Sequence, residues 1–76
     1  MTPSEITPEW INKNARTSSE NRMEIRLETQ NNAVIFECRK ALSQMGASDI
    51  VSTKMKTKVF GKKMTPVTYV YYTPKK

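Results

Sequence analysis

Lysine occupies every second position through the first part of the stretch "STKMKTKVFGKKM", residues 52–64, and no acid interrupts it. Lys54, Lys56 and Lys58 alternate with Thr53, Met55 and Thr57, and Lys62 and Lys63 follow Gly61. On an extended strand, residues of one face repeat every ~6.6–6.8 Å, close to the spacing of successive phosphates along a nucleic-acid strand. Ammonium groups in that array would track a phosphate backbone and release its counterions while carrying no sequence information. Bidentate reading of guanine favours arginine, and the whole segment after Asp49 has none. Binding with low sequence specificity follows. Tyr69 and Tyr71 on the next segment would add base stacking in a single strand, although tyrosine more usually serves strand packing. The candidate nucleic-acid-binding residues are therefore Lys54, Lys56, Lys58, Lys62, Lys63, Tyr69 and Tyr71. The plainer explanation is a lysine-bearing strand edge that resists aggregation.

Other chemistries have little to work with. The chain has no histidine for proton transfer near neutral pH, and Cys38 is its only cysteine. A zinc site of the common Cys/His type has no ligand set, and no disulfide is available within the chain. The two glycines, Gly46 and Gly61, are too far apart for a phosphate-cradling loop. Glu24 and Glu28 each neighbour an arginine, as in a solvated charge ladder. Cys38 falls on an apolar helical stripe, where cysteine behaves as a small hydrophobe. The sequence reads as non-enzymatic, with no catalytic residue, metal or cofactor expected.

The 76 residues form one domain at most. A domain of this size buries only about 60% of its unfolded surface. With disulfides and metal set aside, unusually good packing or a partner chain must compensate, and a homodimer is expected. No apolar run approaches the roughly 20 residues of a membrane span. The start "MTPSEITPEW" lacks the charged-then-apolar pattern of a signal peptide, and a lone thiol suits a reducing compartment. The expectation is an intracellular protein (cytoplasm, nucleus or nucleoid), not secreted and without a membrane partner. Its net charge of +6 is uneven: seven acids face six bases through Asp49, and seven lysines with no acid follow. Such asymmetry points to an acidic partner, most commonly nucleic acid.

The elements that position these residues follow from local pattern. Residues 1–21 read as an N-terminal arm or linker, flexible or briefly helical. Thr7 would cap a short helix with Pro8 at its first position and Glu9 in its first turn. The polar run "NARTSSEN" then reads as linker. Residues 22–76 read as a single small α+β domain of β-α-β-β order, a three-stranded sheet with one helix on one face. "RMEIRLE" alternates Met23, Ile25 and Leu27 with charged residues, as a half-buried strand does. Asn31 or Asn32 caps the helix "AVIFECRKALSQM", which Gly46 ends. Its core stripe is Ile35, Cys38, Leu42 and Met45, flanked by Val34 and Ala41. Phe36 lies off the stripe, packed under the arm or available for contact. "DIVSTKMKTKVF" and "MTPVTYVYYT" form the hairpin.

The parity of the hairpin loop decides which side chains share a face. An even loop puts Lys54 opposite Tyr69 and Lys56 opposite Val67. The lysines then share the open face with Tyr69 and Tyr71, and Val51, Met55, Val59, Val70 and Tyr72 form the inner face. A three-residue loop places the lysines beside Val70 and Tyr72 instead. The even loop gives the core more β-branched partners and is the expectation.

The segment "NNAVIFECRKALSQMGASDIVSTKMKTKVFGKKMTPVTYVYYTPKK" resembles the C-terminal half of Alba-type chromatin and RNA-binding proteins in element order and charge. In that family a helix leads into a long two-stranded arm with a basic tip, and the proteins act as dimers. The resemblance implies arm contacts at Lys56, Lys58, Lys62 and Lys63. The family's first β-α unit and its loop lysines have no counterpart in this chain. The functional expectation is a nucleic-acid-binding protein, DNA or RNA, using a lysine-rich hairpin as a dimer. The rival is a small inhibitor or adaptor, of the kind viruses encode, that binds an acidic protein surface by offering a strand edge, with Trp10, Phe36 and the tyrosines as anchors. A third reading is a structural subunit of a ribonucleoprotein.

Overall fold

The computed structural model describes the backbone of residues 1–59 and 63–75 and the side chains of residues 1–56 and 65–75. A 3₁₀ turn at Pro3–Glu5 precedes helix α1 (Pro8–Asn14), strands β1 (Arg16–Ser19) and β2 (Arg22–Leu27), helix α2 (Asn32–Gln44), and strands β3 (Ser48–Val59) and β4 (Lys63–Thr73). The class is α+β. The sheet has four antiparallel strands in the order β1-β2-β4-β3, rather than the three expected.

The extra strand is β1, which lies in the polar run expected to be linker. All four of its residues are exposed. It carries no apolar alternation to announce itself, and backbone pairing with β2, from Arg16 opposite Glu24 to Ser19 opposite Arg22, holds it in place. Helix α1 starts as its sequence dictates: the Thr7 hydroxyl accepts from the Trp10 amide at 3.1 Å, with Pro8 at the first position. The N-terminal segment is docked, because Ile6 and Ile11 both belong to the hydrophobic core and Ile11 is fully buried.

Helix α2 is capped by the Asn31 side chain, which accepts from the Ala33 amide at 2.9 Å. It ends in a Schellman arrangement. The Gly46 amide donates to the Ser43 carbonyl at 3.1 Å, and the Ala47 amide to the Leu42 carbonyl at 3.0 Å. Gly46 there has φ +92°, a conformation that side chains disfavour. The expected stripe is buried: Val34, Ile35, Cys38, Ala41 and Leu42 face the sheet, and Met45 packs partly against them. They meet Ile25 and Leu27 of β2 and Val70 and Tyr72 of β4. Thr68, the one buried polar side chain among the described residues, donates to the Thr29 carbonyl at 2.7 Å.

The hairpin register reverses the expected faces. Val59 pairs with Lys63, so three residues separate the strands. Lys54 lies opposite Thr68 and Lys56 opposite Pro66, not Tyr69 and Val67. β4 is a shared strand, and this explains the result. β2 pairs Met23, Ile25 and Leu27 with Tyr72, Val70 and Thr68, so the apolar face of β2 fixes which residues of β4 point at α2. The residues of β3 paired with them, Ser52 and Lys54, are thereby turned to the same side. Val51 and Met55, expected on the inner face, are 48% and 46% exposed on the other one. Val59 has no described side chain. A bulge between Ser48 and Val51, with Asp49 at φ +52°, adjusts the first part of β3.

β2 leaves β4 at Thr68, whereas β3 and β4 stay paired as far as Val59 and Lys63. The hairpin therefore continues as a two-stranded arm beyond the sheet. The Gln30 amide ties the loop before α2 to the arm's base, donating to the carbonyls of Met55 at 3.0 Å and Val67 at 3.4 Å.

Candidate nucleic-acid interface

Lys54 projects from β3 towards the start of α2, where its Nζ donates to Asn32 Oδ1 at 2.9 Å. Lys56 is exposed two residues further along the arm. Lys58 and Lys63 hold strand positions opposite Met64 and Val59, their side chains are not described, and Lys62 lies outside the described residues.

The register brings two more cations to this side. Arg39 reaches from α2 across to β3, donating to Ser52 Oγ at 3.4 Å and to the Ile50 carbonyl at 3.5 Å. Lys40, one position on, pairs with Glu37 at 3.0 Å and places its Nζ 5.8 Å from the centre of the Phe36 ring. Phe36 is 64% exposed and does not pack under the N-terminal arm. It lies in an open groove between α2 and the edge strand β3, lined by Asn32, Ile35, Phe36, Arg39, Lys40, Ser43, Gln44 and Ile50. Arg39, Lys40, Lys54 and Lys56 thus border one surface with an aromatic ring on it. The Lys40–Glu37 pair is exposed, and such pairs contribute little stability.

The lysines and the tyrosines do not share a face. Tyr69 and Tyr71 stand on the opposite side of the sheet, ring centres 6.4 Å apart and 22° from parallel, beside Arg26 and Glu24 of β2 and Thr53 and Val51 of β3. Arg39 and Lys40 were not among the sequence candidates; the signal that could have found them is their i+3 and i+4 spacing from the off-stripe Phe36 on α2. Their link to the lysines depended on the register and was not visible.

Cys38 is fully buried, and burial pushes its thiol up to about 11. It is protonated at neutral pH. Burial also raises the Tyr72 hydroxyl, with a smaller push from Cys38. Among the described residues no cluster of three or more metal-ligating side chains forms, and no helix is long and apolar enough to cross a membrane. No family model, curated protein or solved structure matches the chain. The Alba likeness accordingly rests on element order and charge alone.

Proposed function

We propose that the protein binds nucleic acid with low sequence specificity through the basic surface shared by α2 and β3. One observation carries this reading: Arg39, Lys40, Lys54 and Lys56 border the same side of the molecule, and among the described residues the one acid that pairs with any of them is Glu37. The cations neutralise phosphates. The exposed Phe36 ring offers a stacking platform, which favours strands whose bases are accessible over a closed duplex. Tyr69 and Tyr71 drop out of this surface, being on the other face. The test is fluorescence anisotropy with labelled single- and double-stranded DNA and RNA at two salt concentrations. Binding that weakens steeply with salt and favours single strands supports the proposal; no binding to any of the four refutes it.

A second reading is favoured by the position of β3. It is the edge of the sheet, and the groove beside it runs along α2. An acidic protein segment adding a strand to that edge would meet the same cations. A stoichiometric protein that co-purifies after nuclease treatment and moderate salt would favour this reading.

A further inference from the structure

The face of the sheet away from α2 has a different character; α1 borders it at one end, where Trp10 and Asn14 lie beside Arg26 and Glu28. Along β2 and its end it presents Arg22, Glu24, Arg26 and Glu28, in strictly alternating sign, with Arg16 of β1 paired beside Glu24. Beside them lie the stacked Tyr69 and Tyr71, and then Val51 and Met55, each nearly half exposed. No member of the charged row has an ion-pair partner: among the described residues the only salt bridge is Lys40–Glu37, on the other side. Arg22 spends one guanidinium donor on the Asp49 carbonyl, at 3.1 Å.

An alternating row with an even number of charges has a simple symmetry. Reversed and laid against itself, it places every positive charge against a negative one. A two-fold axis across the strands at Ile25 sets Arg22 over the second copy's Glu28 and Glu24 over the second copy's Arg26. Ile25 is level with Val70 in the sheet, so the same axis sets Tyr69 over the second copy's Tyr71. Charged row meets charged row, and aromatic strip meets aromatic strip.

We infer that this face is the contact surface of a homodimer, two copies packed sheet to sheet about that axis. Two-fold interfaces use the same patch on both subunits, so self-complementarity is their defining requirement. A nucleic acid fits the face less well than the α2–β3 surface, because Glu24 and Glu28 stand among its arginines and repel phosphate. The arrangement leaves both basic α2–β3 surfaces outward, and it stands whether or not they bind nucleic acid.

Sedimentation equilibrium of the full chain tests the inference by charge exchange. The wild type is expected to dimerise. Arg26→Glu sets acid against acid twice, and Glu24→Arg sets base against base twice. Each alone should weaken dimerisation by at least roughly tenfold, since opposed like charges cost several kcal/mol. Mixed in equal amounts, the two variants form a heterodimer in which all four contacts are again opposite in sign, and association should recover. Circular dichroism checks each fold, and should Glu24→Arg fail beside Arg16, the pair Arg22→Glu and Glu28→Arg repeats the exchange. A wild type that stays monomeric at millimolar concentration, single variants that dimerise as well as it does, or a mixture no tighter than its components would each overturn the inference.

Discussion

Replacing Lys54 and Lys56 together by glutamine removes two cations from β3 while keeping side chains of similar reach. Both are surface residues, and the only described side-chain bond lost is the one from Lys54 to Asn32, so the fold should persist. Each phosphate neutralised contributes about 0.7 to the logarithmic salt slope on a single strand. The four described cations of the surface then give a slope of about −2.8, which is roughly a 50-fold loss of affinity between 50 and 200 mM salt. With two cations left, the slope is about −1.4 and the loss over the same range about 7-fold. Lys58, Lys62 and Lys63 would add equally to both proteins. The difference of about 1.4 is therefore independent of what the arm tip does. Anisotropy titrations of a labelled single strand at four salt concentrations measure it. A variant with the wild-type slope would show that Lys54 and Lys56 touch no phosphate, and the proposed surface would be wrong.

Three further outcomes are expected. Phe36→Ala should cost about 1–3 kcal/mol of single-strand affinity if the ring stacks on a base, with duplex binding nearly unchanged; equal losses in both titrations would remove stacking from the mechanism. Ile11→Ala empties a fully buried site and should cost about 2–5 kcal/mol in urea unfolding, a large share of the roughly 4–11 kcal/mol typical of a chain this size; an unchanged midpoint would mean that α1 does not dock. For Cys38, the folded thiol keeps its proton up to about 11, whereas the unfolded one releases it at its ordinary, lower value. Stability should thus be unaffected at neutral pH and fall as pH rises through the alkaline range, and the native thiol should resist alkylation until the protein unfolds. A thiol that reacts at neutral pH at the rate of a free one would contradict its burial.

Local signals of the fold were legible wherever one residue type has a single structural use. Thr7-Pro8 started α1, Asn31 capped α2, and Gly46 ended it at positive φ. The apolar stripe of α2 and the alternation of Met23, Ile25 and Leu27 each named their buried face correctly. β1 was not legible, because an all-exposed strand held by backbone bonds leaves no hydrophobic period to detect. For the candidate site, the alternation that exposes Lys54 and Lys56 was legible, whereas the sequence allowed Phe36 either to pack under the arm or to make contact, and did not single out Arg39 and Lys40. Their grouping was not legible. The even loop promised the core face more β-branched partners, yet among the described residues of β3 Val51 and Met55 remain exposed.

By itself, the sequence determined the excess of positive charge in the last third of the chain, the lack of histidine, and two faces on each strand. Those are properties of composition and of the period of two, and they hold in any register. Only the tertiary structure decided which face is which. β4 sits between β2 and β3, so its buried residues answer to Ile25 and Leu27, and β3 must follow its partner. That pairing turns Lys54 and Lys56 towards α2 and leaves the tyrosines beside the alternating charges of β2. A one-residue change in pairing would have exchanged them, because side chains on a strand alternate and no local preference of lysine or tyrosine opposes the exchange.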